Sequence, residues 1–322
     1  MSLITKIENA FLNSAPVQWV FSQSKKIVLP GFNGIHLYDV GNFFIGQVRT
    51  IGMTERASAI AFNFVMAIPP SIIFLFTLIP FLPISEQFQN GLYTIIRDIV
   101  PGENNNAALI NFLSDFINNP RNGLLSVGFV LSMYFSSNAV MGIMRSFDKN
   151  YIGFRKRNEF QKRVVAIKIT MVLFIFVFAS VLLLIGRQAA LKFFGIQSES
   201  VINLLISIRW LIIILLFFFS ISFIYRHAPA VDKKWKMINP GSLLATILML
   251  VLTFLFSWWV SRFDTYNQLY GSIGTILILM LLIFFNSLIL LIGFELNVSI
   301  TSLRKIADER EDNDTSGEEE SN

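Results

Sequence analysis

The sequence predicts an all-α, polytopic membrane protein. Of its 322 residues, 54% are hydrophobic and only 15% are charged, whereas soluble domains are about 45–50% apolar and about 25% charged. Several apolar runs reach the roughly 20 residues that a helix needs to cross a bilayer core about 30 Å thick. Each of these runs is therefore interpreted as a membrane-spanning helix.

Six such runs follow one another along the chain. They cover residues 57–83, 122–144, 164–186, 210–225, 241–261 and 272–296. The predicted membrane domain accordingly extends over residues 57–297. It lies between an amino-terminal segment of residues 1–56 and a carboxy-terminal segment of residues 298–322.

The distribution of lysine and arginine predicts the orientation of the spans. Nineteen of these residues lie on the side of the two termini, and six lie in the loops of the opposite side. Because cytoplasmic loops carry the excess of Lys and Arg, both termini are expected in the cytoplasm. The bias alternates at every loop, so a missed span would destroy it.

The amino-terminal segment is expected to carry interfacial helices rather than a signal peptide. Lys6, Glu8, Asn9 and Asn13 interrupt its apolar residues, so no cleavable hydrophobic region is present. The pattern LYDVGNFFIGQVRTIG at residues 37–52 favours an amphipathic helix on the cytoplasmic membrane surface. A soluble cytoplasmic helix explains the same pattern equally well.

Two further segments outside the spans have their own patterns. Apolar residues at helical spacing over residues 88–99, a Pro101-Gly102 stop and a second helical pattern at 104–119 predict an external helical hairpin. The end of the chain is acidic and poor in apolar residues from Asp308 onward. Residues 298–322 are therefore expected to form a cytoplasmic, disordered tail.

Composition excludes several kinds of site. The chain has no cysteine, so disulfides and thiolate sites cannot form, and His36 and His227 are too few for a histidine metal cluster. Motifs of serine hydrolases, zinc proteases and P-loop proteins are absent from the sequence. We therefore expect no enzyme activity, no metal and no cofactor. Basic residues outside the loops form no stripe, so membrane lipids rather than nucleic acid are the expected partners.

The interiors of the six predicted spans contain no Asp, Glu, Lys, Arg or His. Lys168 and Glu295 lie near the cytoplasmic ends of the third and sixth spans. Proton pumps and ion-coupled carriers usually place an ionisable group near the middle of the membrane. The pattern therefore disfavours those classes and leaves a neutral or amphipathic substrate, such as a lipid, or a role without transport.

The first span contains polar and helix-breaking residues near its middle. Pro69 and Pro70 are adjacent, and proline removes a backbone donor and clashes with the preceding turn. The pair predicts a broken or strongly kinked helix, whose freed carbonyls near Asn63 would face a cavity and bind a polar ligand. The alternative is a kink whose polar groups neighbouring helices satisfy.

Three other places carry candidate substrate or gating residues. Asn138 lies among apolar residues of the second span and either joins two helices or contacts substrate. Tyr266, Asn267 and Tyr270 precede the sixth span and form either a tight hairpin with an aromatic belt or an external gate.

The segment GFELN ends the sixth span and contains Glu295 and Asn297. Glu295 is expected to pair with Arg56, Arg145 or Lys168, either as a lock between helices or as an inner gate. The lysines of the preceding cytoplasmic loop, residues 225–241, are candidates for holding anionic headgroups.

The segments AIAFNFVMAIPPSIIF, YRHAP, YNQLYGSIG and GFELN together resemble the YihY/BrkB family of bacterial inner-membrane proteins, over about residues 54–297. The matching positions of the last two motifs are Tyr266, Asn267, Tyr270, Gly271, Ser272, Gly274, Glu295 and Asn297. Gln268 and Leu269 stand where many relatives have Ala-Thr. The resemblance implies a six-span envelope protein discussed as a transporter or in lipid handling. The family's old ribonuclease label is disfavoured, because no metal-binding carboxylates or acid–base pair cluster in this sequence.

Three hypotheses about function follow. A transporter or lipid-translocating protein would bring Asn63, Asn138, Tyr266, Asn267 and Glu295 to one cavity or groove. A membrane scaffold or envelope assembly partner would have a filled bundle instead. A hydrolase would gather polar residues of separate loops around a metal. The oligomeric state is not predicted.

Overall fold

The computed structural model describes most of the helical part of the chain. The described residues are 18, 22–32, 34–50, 52–78, 93, 107, 110–111, 114, 122–148, 151, 154–185, 199–262 and 264–319. Within them, the side chains of 49–50, 72–78, 122, 124–125, 181–185, 199–207, 209–210, 260–262, 264–276 and 311–319 are not described. The predicted external hairpin lies, but for isolated positions, outside the described residues.

Seven long helices make up the described part of the chain. They are α1 (Leu37–Thr50), α2 (Met53–Leu78), α3 (Asn122–Phe147), α4 (Glu159–Ile185), α5 (Glu199–His227), α6 (Pro240–Arg262) and α7 (Asp264–Glu319). The described residues contain no strand, only an isolated antiparallel bridge between Phe154 and Val231. The all-α class is therefore confirmed.

Helix length and composition agree with a membrane protein. Among the described residues, four segments are long and apolar enough to cross a membrane: Ser126–Phe147, Glu159–Ser180, Pro240–Trp259 and Leu277–Arg310. A shorter apolar helix, Leu211–His227, falls on the predicted fourth span. The first predicted span falls on α2, whose later side chains are not described, so the number six stays a prediction.

The first predicted span is not broken at its two prolines. Pro69 and Pro70 both lie inside α2, which is helical from Met53 to Leu78. A break would expose backbone groups to lipid, where no water can satisfy them, so a spanning segment tends to remain helical even around proline. The expected break is therefore wrong, whereas the kink stays a prediction.

Helix α7 is longer at both ends than the sequence indicated. It begins at Asp264, two positions after Arg262, the last residue of α6, so residues 264–271 are helical. An acidic residue at a helix start is favourable because it faces the positive end of the helix dipole.

At its other end, α7 continues past Asn297 to Glu319, so the expectation of a disordered tail from residue 298 is corrected. Val298 and Ile300 are buried, and Arg304 pairs with Asp308 one turn later at 3.8 Å. Packing of the first turns and such i, i+4 pairs keep the polar continuation helical.

The chain divides into two compact units that are not contiguous in sequence. The first comprises residues 1–58, 146–157 and 221–322, and the second comprises residues 59–145 and 158–220. Within the first unit, α1 packs on the continuation of α7, and Phe32, Val40 and Ile300 form the centre of that contact. This helix of the amino-terminal segment is therefore held by the carboxy-terminal one.

Two glycines set the crossing of α6 and α7 in the first unit. A Cβ atom on Gly293 would lie 2.5 Å from both the Gly241 carbonyl oxygen and the Tyr225 hydroxyl. A Cβ atom on Gly241 would collide with the Gly293 carbonyl oxygen. The two backbones therefore approach more closely than any side chain would allow, as small residues permit in membrane helix packing.

Candidate functional site

A buried ion pair lies in the first unit, between Arg56 of α2 and Glu295 of α7. The Arg56 guanidinium donates through Nη1 to Glu295 Oε1 at 2.7 Å, and the side chains are only 8% and 0% exposed. The Tyr151 hydroxyl donates to the same oxygen at 2.7 Å. Arg56 Nη2 also donates to the carbonyl of Ser146. One carboxylate thus joins α2, α7 and the segment that follows α3.

The Tyr151 hydroxyl stays protonated, and this preserves its hydrogen bond to Glu295. Burial, and then the adjacent Glu295 carboxylate, raise the pKa of Tyr151 well above its ordinary value. The phenol therefore remains a neutral donor at physiological pH, as its hydrogen bond to Glu295 requires.

Aromatic rings cluster around Phe294, the residue that precedes Glu295 in the sequence. The Phe294 ring stacks on Phe147 with centroids 3.8 Å apart and an interplanar angle of 4°. Tyr151, Phe154 and Trp235 approach the same ring with centroids 6.0, 6.2 and 5.7 Å away. The neighbouring ion pair is itself buried, and the low dielectric of a buried site strengthens its electrostatic interaction.

The loop between α3 and α4 is tied to the loop between α5 and α6. Arg157 donates to the carbonyls of His227 at 3.3 Å, Ala228 at 2.8 Å and Pro229 at 3.2 Å. These carbonyls follow the last turn of α5, where backbone acceptors lack helical partners. Arg157 therefore caps that helix and holds the two loops together.

Asn297 connects α7 to the start of α6. Its Oδ1 accepts from the Gly241 amide at 2.9 Å, and its Nδ2 donates to Asn239 Oδ1 at 2.7 Å. Asn239 in turn accepts from the Ser242 amide at 2.8 Å, which is the arrangement of a helix N-cap. The Asn297 amide thus satisfies groups that α6 itself cannot pair.

Replacing Asn297 by alanine is expected to destabilise the protein by about 1–3 kcal/mol. The change leaves the Gly241 amide without its partner and removes a donor to Asn239, and both groups are buried. Thermal unfolding of the purified protein in detergent measures the effect. Asn286→Ala is the matched control, because the bond described for the Asn286 amide is to the Leu282 carbonyl of its own helix, at 2.9 Å. Equal unfolding temperatures for Asn297→Ala and the unaltered protein would contradict a structural role for this side chain.

An open groove of about 450 Å³ lies beside this amide network in the first unit. Trp235, Ile238 and Ile300 supply apolar lining. The charged lining consists of Lys233, Lys234, Lys236, Arg304, Lys305 and Asp308. The groove thus combines an apolar floor with a strongly cationic rim.

Comparison with known proteins gives the family. The model of the virulence factor BrkB family matches residues 44–318, which is most of the chain. The chain belongs to the BrkB family. The resemblance seen in the sequence is therefore confirmed.

Curated relatives of this BrkB protein carry two kinds of name. Ribonuclease-like protein YfkH of Bacillus subtilis is 28% identical over 260 residues, which cover 79% of this chain and 92% of that protein. UPF0761 membrane proteins of Xanthomonas campestris and Xanthomonas axonopodis are 33% identical over 87 residues, which cover 27% of this chain and about a fifth of theirs. No solved structure matches the chain significantly. These findings and the apolar helices make it a multi-pass membrane protein.

The second unit of the BrkB chain holds two of the candidate residues. The Asn63 amide donates to the Ala59 carbonyl of its own helix at 2.7 Å and packs against Gly142 of α3. Asn138 accepts from Arg163 at 2.7 Å, across α3 and α4. Each side chain therefore serves local helix packing.

The predicted convergence of five residues stays a prediction, because the five are divided between the two units and the first turns of α7. Glu295 lies in the buried ion pair of the first unit, and Asn63 and Asn138 make separate contacts in the second. Tyr266, Asn267 and Tyr270 lie in the first turns of α7, with side chains outside the described part. Of the residues nominated from the sequence, Glu295 and Asn297 are brought into one neighbourhood with the groove beside them.

Sequence reasoning missed Tyr151, Phe294, Trp235 and Arg157. Three of them are single aromatic or basic residues in loops, Phe294 lies inside α7, and no spacing signal distinguishes such residues. Only the position of Phe294 inside GFELN, next to the nominated Glu295, pointed toward it.

The site has no features of a metal-dependent hydrolase. Among the residues that the structure describes, no three His, Asp or Glu side chains are grouped so that they could hold a metal ion. The word ribonuclease belongs to the name of the Bacillus relative, and no catalytic activity of this BrkB chain follows from it.

Proposed function

We propose that this BrkB protein binds and moves an amphipathic envelope molecule, such as a lipid, in the bacterial inner membrane, with both termini in the cytoplasm. The observation that supports the proposal is the groove between the start of α6 and the part of α7 from Asn297 to Asp308. Its lining offers an apolar surface and a charged rim to one ligand, which is what a molecule with a tail and a polar head requires.

The position of the groove supports the same proposal. Pro240, the first residue of the spanning helix α6, and residues 233–238 of the preceding lysine-rich loop both line it. Lysine-rich loops lie on the cytoplasmic side, so the groove would open at the cytoplasmic surface of the bilayer. A lipid could then enter from the inner leaflet with its head among the cations.

The charge pattern of the spans argues against coupling to an ion gradient. The ionisable pair Arg56 and Glu295 is buried, and the Tyr151 hydroxyl donates to the same carboxylate oxygen. A coupling group must gain and lose its ion or proton during transport, whereas this pair is held by several hydrogen bonds.

A scaffold is the second candidate, because a specific observation favours it. Glu295, Asn297 and Asn138, all nominated as substrate or gating residues, make buried or partly buried bonds between secondary-structure elements. Such bonds fix a bundle rather than open it. The two functions differ in whether the reconstituted protein changes the movement of lipid.

Reconstitution in vesicles that contain a fluorescent lipid tests the proposal. The unaltered protein is expected to raise lipid exchange between leaflets above that of empty vesicles. Ile238→Glu should reduce this exchange several-fold, because it places a carboxylate on a 70% exposed side chain inside the groove. Fluorescence loss after addition of a membrane-impermeant quencher measures the exchange.

The matched control is Phe160→Glu, which also replaces an exposed apolar side chain by a carboxylate, but on α4. It should leave the exchange unchanged. Lipid exchange by the unaltered protein no faster than in empty vesicles would decide in favour of the scaffold.

A further inference from the structure

The cations of the groove are not equivalent. Lys305 donates to Asp232 at 3.0 Å, and Arg304 lies 3.8 Å from Asp308. Lys233, Lys234 and Lys236 are exposed and have no carboxylate within ion-pair distance among the described residues. Three positive charges on the rim therefore lack a described counter-charge.

We propose that the groove binds a phosphate-bearing, anionic group, and that Lys233, Lys234 and Lys236 are its ligands. The inference deepens the proposed function and rests on it for the source of the phosphate, a lipid headgroup. Lysine ammonium groups suit this role, since they are compact charges that bind phosphate oxygens from several directions.

The lysines, rather than the start of α6, supply the donors. Helix N-termini often bind phosphate through free backbone amides. Here the Gly241 amide is bonded to Asn297 and the Ser242 amide to Asn239. The helix therefore contributes only its dipole, which adds a positive potential to that of the side chains.

The loop that carries the three lysines is held in place by Trp235, which lies between them, and by Asn239. The Trp235 indole donates to Thr301 Oγ1 at 2.9 Å, and the Trp235 side chain is buried. Asn239 donates to the Lys236 carbonyl at 3.0 Å. Because the backbone on both sides of the lysines is fixed, a ligand orders only the flexible lysine ends, and preorganisation of this kind favours binding.

The size of the groove agrees with a headgroup. Its volume of about 450 Å³ lies within the roughly 300–1,000 Å³ of small-molecule sites. Ile238 on its edge is 70% exposed and gives an acyl chain an apolar contact beside the cations. Asp308 is the one acid among the described lining residues, and its carboxylate lies next to Arg304.

Ligand-induced thermal stabilisation of the full chain in detergent tests the inference. Three probes are titrated: dioctanoyl phosphatidylglycerol, dioctanoylglycerol without phosphate, and inorganic phosphate. The phosphatidylglycerol is expected to bind at least 10-fold more tightly than dioctanoylglycerol. Replacing Lys233, Lys234 and Lys236 together by glutamine should weaken its binding roughly 10- to 100-fold, since each lysine near an anionic lipid contributes to affinity.

Lys25, Lys26 and Lys156, replaced together by glutamine, form the matched control. These three lysines are exposed and lie outside the groove. Their replacement removes the same total charge, so it should change the affinity for phosphatidylglycerol by less than about 3-fold. Without ligand, both triple variants should unfold near the temperature of the unaltered protein, because all six side chains are exposed.

The outcomes separate the sources of the phosphate. Binding of phosphatidylglycerol that inorganic phosphate does not displace assigns the site to a lipid head, and displacement by phosphate at millimolar concentration assigns it to free phosphate compounds. Equal affinity for dioctanoylglycerol, or equal losses in the two triple variants, would overturn the inference. Lipid exchange in vesicles with no phosphate selectivity would overturn this inference alone, whereas selective binding without exchange would overturn the proposed transport alone.

Discussion

Gly293→Ala is expected to lower the stability of the protein by about 3 kcal/mol or more, and to reduce the amount of folded protein in the membrane. The added Cβ atom would lie 2.5 Å from the Gly241 carbonyl oxygen and the Tyr225 hydroxyl and 2.8 Å from the Ala245 Cβ. Overpacking of a filled core costs about 1–3 kcal/mol. The cost is at the upper end here, because one of the atoms met belongs to the backbone of the facing helix.

The effect is measured by thermal unfolding in detergent, together with the yield of monodisperse protein from membranes. Gly46→Ala is the control, because a Cβ atom there meets nothing within 4 Å. In the helix α1 that exchange should be neutral or stabilising by up to about 1 kcal/mol. If Gly293→Ala and Gly46→Ala unfolded at the same temperature, the close crossing of α6 and α7 would be refuted.

Glu295→Met is expected to destabilise the protein by about 3–5 kcal/mol, the second large effect. The change leaves the buried Arg56 guanidinium without its counter-charge and the Tyr151 hydroxyl without its acceptor. In the described part of the chain, Arg56 Nε and Glu295 Oε2 already lack hydrogen-bond partners. In the variant, Arg56 Nε therefore has no existing hydrogen bond that would compensate the loss of the carboxylate.

A double-mutant cycle separates the free energy of the Arg56–Glu295 interaction from the effect of removing each side chain alone. Arg56→Met should also be strongly destabilising, because it leaves the carboxylate buried. The double variant should lose much less than the sum, since apolar replacement of a whole buried pair is often neutral. Unfolding temperatures of the three variants give the coupling. Additive losses would show that the two side chains do not depend on each other.

An exposed ion pair can be compared with the buried pair of Arg56 and Glu295 to measure the effect of burial. Arg155 lies 2.6 Å from Asp232, but the two side chains are 78% and 38% exposed. Asp232→Asn should lower the unfolding temperature far less than Glu295→Met does, because solvent screens surface pairs. The contrast with Glu295 isolates the contribution of the apolar surroundings from that of the distance between charges.

The spanning helices were the most predictable part of the fold. The start of α6 follows from Asn239 and Pro240, which provide an N-cap and a first helical residue. The predicted second span, 122–144, agrees with α3, Asn122–Phe147, to within three residues at its end. Apolar length and local capping determine these features, and both are properties of neighbouring residues.

For contacts between residues that are distant in the chain, the sequence predicted only a set of possible partners. Three cations were offered as partners of Glu295, and the structure selects Arg56, which is 239 positions away. Arg145 instead lies 3.9 Å from Glu159. Which helix faces which depends on packing of the whole bundle, and a single sequence carries no direct signal for it.

The polar continuation of α7 shows a different limit. Composition predicted disorder after residue 297, because acidic and apolar-poor segments cannot bury enough surface. The helix instead begins inside the apolar part and packs its first polar turns on α1 through Ile300. An already formed helix needs no new nucleus, so adding residues to it is much easier than starting one.

The 56 residues of α7 correspond to a rod about 84 Å long, close to three times the thickness of a hydrocarbon core. Its final 22 residues, after Asn297, extend about 33 Å along the helix axis. A tilt of about 10° pivoting near Asn297 displaces the far tip by about 6 Å. The length of this continuation would thus convert a small change in helix angle into a displacement of several ångström at Glu319.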